Sequence, residues 1–201
     1  ASIPRESRRN VSLDWGAQLG AGILDGISAR AYVQRLDHDM LVEMTMGGAM
    51  PMTMRTEQQS YSTTSGARVQ LRLVPAPDVH LDLGAEVTNW AAENSRWTEQ
   101  SGAMGSNRFE FRTWPGVDIL DAGLFAQGEI PLLDRLVATL GGRIDHVVRQ
   151  ADGAPTTRDW IGSGNAGLRL TLPHGLGARV SVGYGYRIPN PTELYGLALK
   201  P

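Results

Sequence analysis

Cysteine does not occur among the 201 residues, which excludes disulfide frameworks, Cys-ligated zinc and thiol catalysis. Any soft-metal chemistry must therefore use methionine or histidine. Long apolar runs are missing as well: no stretch approaches the roughly 18 residues of a membrane-spanning helix, so a helical membrane protein is excluded. The opening ASIPRESRRN carries no apolar core of the kind a signal peptide needs. Neither sign of charge dominates, with 19 Lys+Arg against 21 Asp+Glu and a net charge of -2, so nothing in the balance points to a nucleic-acid partner. Capped segments with helical periodicity are also lacking. A β-barrel survives all these absences, because its strands carry only alternating hydrophobicity over about 10 residues each.

That alternation is present along almost the whole chain. Leu120, Ala122, Leu124, Ala126 and Ile130 share one parity, and Asp121, Gln127 and Glu129 the other, with Phe125 an exception on the polar side. The pattern repeats with Leu136, Ala138, Leu140, Ile144 and Val148 against Arg135, Thr139, Arg143, Asp145 and Arg149. Similar runs over 68–73, 79–88 and 176–188 bring the expected total to about eight strands in an all-β chain.

Connection lengths add a second regularity. The joints at 20–26, 74–78, 130–134 and 172–175 are short, and three of them carry proline. The connections at 43–60, 92–116 and 151–160 read as long polar loops, so short and long alternate. Short turns at one end and long loops at the other are the plan of an antiparallel up-and-down transmembrane β-barrel. A soluble sandwich shares the periodicity but turns its apolar face into a common core, whereas a large barrel turns it toward lipid around a wet lumen. Periodicity alone does not separate them. Trp15, Tyr184 and Tyr186 on the apolar parity favour the barrel, as interfacial aromatics do.

The stretch GYGYRIPNPTELYG (183–196) resembles the late-barrel signature of TonB-dependent outer-membrane receptors, carried by Tyr186, Arg187, Pro189, Glu193, Leu194, Tyr195 and Gly196. The segment 122–147 is similar to a hairpin of the same family in which a Phe-Ala-Gln strand is followed by a Leu-rich strand ending in Gly-x-Arg-x-Asp, here Gly141, Arg143 and Asp145. The resemblance implies residence in the outer membrane of a Gram-negative bacterium, contact with its lipid, and coupling to the TonB energy-transducing complex. It also implies that residues 1–201 are part of a larger barrel, with about eight of its strands and without the plug domain through which TonB acts.

HDMLVEMTMGGAMPMTM (38–54) holds six of the seven methionines. On the second expected strand Ile27, Ala29, Ala31 and Val33 form the apolar parity, so His38 and Met40 fall on the lumen side, at the strand's upper end. A thioether is a soft, uncharged ligand that favours Cu(I), and imidazole suits copper in either oxidation state. An i, i+2 pair lies about 7 Å apart at Cα and points both donors the same way. Met44 and Met46 keep the parity, and Met50, Met52 and Met54 follow as further donors, while Asp37 and Asp39 fall on the opposite face.

This pattern resembles the copper-receptor branch of the family, in which a His-x-Met in the barrel binds copper and further methionines line the entry. The expected cargo is thus a copper ion. Two alternatives stand beside it: a receptor for a ferric siderophore or a vitamin, with methionine as adaptable apolar filler, and a small structural outer-membrane barrel. His80, His146 and His174 lack ligand spacing, and no G-x-S-x-G occurs in a strand-to-helix context, so an enzyme is not expected.

Overall fold

The computed structural model of the chain describes residues 2–48, 51–103, 105–189 and 193–194. Eight strands follow one another: β1 (Ser2–Ala21), β2 (Leu24–Met46), β3 (Met52–Ala76), β4 (Val79–Gly102), β5 (Gly105–Leu133), β6 (Leu136–Gln150), β7 (Thr157–Thr171) and β8 (Gly177–Tyr184). They form one sheet in the order β1 to β8, each antiparallel to the next. The expected up-and-down meander is the observed one.

Register carries the alternation across strands, because residues directly opposite one another share a face. Trp15, Ala29, Val69, Ala85, Leu124 and Ile144 occupy one continuous row. Nothing among the described residues covers that face: Leu13 is 72% exposed, Leu124 63% and Val182 72%. On the opposite side of β2 and β3, polar side chains such as Gln34, Thr64 and Gln70 are half-buried, so the sheet curls toward its polar face. A sandwich does the reverse. The apolar face here is the convex outer wall of a barrel segment, and the polar face lines the lumen.

The outward apolar row on β2 ends at Val33, and Arg35 follows it. From Leu24 to Val33 a strand covers about 30 Å, which at a tilt of 35–45° spans roughly 21–25 Å, close to the apolar band of such barrels.

Two of the three long connections are largely strand in the structure, and the third is shorter than expected. β2 and β3 continue to Met46 and from Met52, β4 and β5 to Gly102 and from Gly105, and only 151–156 remains as a connection between β6 and β7. Beyond the lipid band both faces of a strand meet water, so the contrast between faces that reveals a strand disappears. The ladder persists there because Thr, Tyr, Trp and Phe suit a pleated backbone. Thr45 and Thr53 pair at 3.4 Å and Thr56 and Thr98 at 3.3 Å between hydroxyl oxygens.

Phe125, the exception to the alternation, faces the lumen opposite Gly84. Its ring lies over that glycine, and the Arg68 guanidinium sits 4.3 Å from the ring centroid. A Cβ at position 84 would meet the ring and stand 2.7 Å from the Val69 carbonyl oxygen, a backbone atom that cannot swing away. Gly84→Ala in the full-length protein is therefore expected to lower stability by about 1–3 kcal/mol in urea unfolding from lipid. A wild-type midpoint would show that the ring does not need the glycine.

Several paired charges line the lumen wall. Arg143 bonds Glu86 at 2.6 Å and Asp145 at 2.7 Å, joining β4 and β6. One patch differs: Val117, Ile119, Val147 and Ala151 are buried on the same side, packed by Trp90, Trp114 and Ile161. The segment after β8 lies over them through Ile188 and Leu194, with Arg187 bonded to Glu193 at 2.8 Å. Tyr195 and Gly196 of the C-terminal signature lie outside the described residues.

Candidate metal site

The upper half of β2 extends past the lipid band and carries His38, Met40, Met44 and Met46 on its lumen-facing parity. β3 returns beside it with Met52 and Met54. The register pairs Met44 with Met54 and Met46 with Met52, so the four thioethers form a quartet on one face. Directly paired positions stand about 4.5–5.5 Å apart at Cβ, within reach of flexible methionine side chains. Met44 is 50% exposed and Met46 47%, leaving both open to solvent-borne ligands. Met50 lies outside the described residues.

His38 and Met40 make a second grouping lower on the same face. His38 stands opposite Glu6 on β1 and Ser60 on β3. Its Nδ1 is 3.8 Å from a Glu6 carboxylate oxygen, and the Ser60 hydroxyl donates to the His38 carbonyl at 3.1 Å. Met40 is half-buried opposite Gln58. The row of Val42 and Thr56 separates this pair from the quartet, and four residues along a strand place Met40 about 13 Å from Met44. The candidate ligands thus divide into two stations along one strand.

Among the described residues no group of three or more His, Asp or Glu side chains converges as a metal site. Sulfur is the donor this wall offers in number. Glu6 is the neighbour that sequence reasoning missed: the upper half of β1, RESRRN, shows no alternation, so its pairing with His38 becomes visible only through the register. Asp37 and Asp39 lie on the opposite face, as their parity implies, and Asp37 holds Arg35 at 3.0 Å. Also on that outer face, the Tyr61 hydroxyl donates to Glu93, which keeps the phenol protonated above the usual tyrosine range.

No curated protein matches the chain. Among solved structures, "Copper transporter OprC" is similar, with a TM-score of 0.71 and 18% identity, covering 91% of this chain and 30% of OprC. The chain therefore spans about 30% of that transporter's length, and the likeness at this identity is one of fold. Residues 3–201 match the family described as "TonB dependent receptor-like, beta-barrel". With nearly the whole chain matched, and with a meander that turns its apolar face outward, the protein belongs to the TonB-dependent receptor β-barrel family.

Proposed function

We propose that these residues form part of the barrel wall of an outer-membrane receptor that imports copper, with Met44, Met46, Met52 and Met54 capturing the ion and His38 and Met40 receiving it below. The observation that carries this reading is the common face: five methionines and a histidine on two paired strands all point into the lumen. Thioethers hold Cu(I) without adding charge and exchange it readily between neighbours, while the imidazole adds a firmer nitrogen donor. Met50 belongs to the same proposed set by sequence. The remaining wall and a plug domain lie elsewhere in the full-length protein, and the TonB complex acts through that plug to release the cargo inward. Nothing in this reading requires enzymatic chemistry.

A second reading has one observation in its favour. Phe109 and Phe111 share the lumen-facing side of the β4–β5 extension, and the Arg96 guanidinium lies 5.5 Å from the Phe111 ring centroid. That combination suits an organic anion with a flat ring, as a siderophore or vitamin cargo could offer. Titration of the full-length receptor with Cu(I), Ag(I) and Zn(II) under reducing conditions separates the two readings. Tight binding of both monovalent ions with weak binding of Zn(II) is the expected result; equal and weak binding of all three would abandon copper in favour of an organic cargo.

A further inference from the structure

The thioethers at the tip of the β2–β3 hairpin have a second chemistry that ion capture does not use. Met44 and Met46 stand roughly 36–43 Å of strand beyond Val33, well outside the lipid band. Met52 beside them is exposed as well, at 38%. On the next strand Gln100 lies opposite Met54 and Gly102 opposite Met52, so β4 brings no apolar side chain over these sulfur atoms. Met54 and, lower on the same face, Met40 are half-buried. An exposed thioether is open to a peroxide, which hands it one oxygen atom. A sulfur lone pair forms the S–O bond, the O–O bond breaks, and the second oxygen of hydrogen peroxide leaves as water. The sulfur gives up two electrons and the peroxide takes them.

We propose that Met44, Met46 and Met52 are a site of reversible methionine oxidation by peroxide, and that their sulfoxides close the copper intake. A sulfoxide presents a hard, polar oxygen where the thioether presented a soft donor, so Cu(I) loses the ligand type that favours it. Register makes the change collective: Met44 faces Met54 and Met46 faces Met52, so oxygen on any one of them takes a donor from a shared group. Met40 lies about 13 Å of strand below Met44, so the lower station keeps its ligands while entry to it slows. Cu(I) and peroxide react to give radicals, and a wall that stops taking Cu(I) when peroxide is present keeps the two apart. The closure rests on the copper reading given above; the oxidation does not.

The test exposes purified full-length receptor to hydrogen peroxide, stops the reaction with catalase, and follows two readouts. Peptide mass spectrometry should find oxygen added to Met44, Met46 and Met52 about threefold or more faster than to Met40. Ag(I), a soft ion bound beforehand, should slow that addition at the tip. Transfer of Cu(I) from a weak chelator to the oxidised receptor should be slower by about fivefold or more, and the methionine sulfoxide reductases for the two epimers should restore it. The variant with Met44, Met46, Met52 and Met54 changed to leucine should transfer Cu(I) slowly before peroxide and no more slowly after it. Oxidation of Met40 as fast as of the tip methionines would overturn the modification site. Wild-type transfer by a receptor whose tip is fully oxidised would overturn the closure. An untreated receptor that takes no Cu(I), yet is oxidised selectively at the tip, would sink the copper reading and the closure with it and leave the modification site standing.

Discussion

Replacing His38 and Met40 together by alanine is expected to weaken Cu(I) binding by the full-length receptor by more than about a hundredfold. Disturbing only the partners of metal ligands already costs about 10–100-fold in affinity, so removing two ligands must cost more. The quartet gives the internal comparison. Changing Met44, Met46, Met52 and Met54 to leucine keeps their volume and removes the sulfur, and should leave the tight site intact while slowing uptake from dilute copper. Competition against a Cu(I) chelator measures the first effect, and copper accumulation by cells measures the second. The two stations should also differ in their response to acid. A proton competes with the metal for the imidazole nitrogen but not for a thioether, so binding at His38 weakens as pH falls while the quartet is indifferent. If the alanine pair binds Cu(I) as wild type does, the lower station is not a copper site, whatever the quartet does.

A charge placed on the outer wall should be nearly as disruptive. Leu124 lies in the middle of the outward row and is 63% exposed, so Leu124→Arg puts a guanidinium into the hydrocarbon at a cost of about 2–4 kcal/mol. Gln127 lies three residues further along the same strand on the lumen parity, where its amide donates to Asp82 at 3.3 Å. Gln127→Arg adds the same charge to a wet wall beside a carboxylate and should cost little. The readout is unfolding in a bilayer with heat-modifiable migration as a folding check. Equal losses for both variants would mean that the faces are assigned wrongly.

What could be read from residues alone follows from where lipid and water meet the chain. Between the short turns and the band's upper edge, one face is apolar and the other polar, and there the strands, their parity and their antiparallel order are legible from Leu120–Ile130 and Leu136–Val148. Past Val33 both faces are wet, the contrast is lost, and 43–60 and 92–116 look like loops although most of their described residues pair across the sheet. Phe125 breaks the pattern because its partner is a glycine on the next strand, a relation that no single strand displays. The candidate site follows the same rule. His38 and Met40 keep the parity of their own strand and were recognisable, whereas the pairing of Met44 with Met54 and the approach of Glu6 depend on register between strands.

The buried patch of Val117, Ile119, Val147 and Ala151 gives this wall two unlike halves. Around β2 and β3 the lumen surface presents sulfur, imidazole and amide groups. Around β5 and β6 its upper part is dry, sealed by Ile188 and Leu194 from the segment after β8. If this barrel carries a soft metal ion as proposed, that ion finds sulfur and imidazole ligands beside β2 and β3 and none at the apolar patch. Within this stretch of wall its path would then run along the methionine-bearing strands and to one side of the apolar patch.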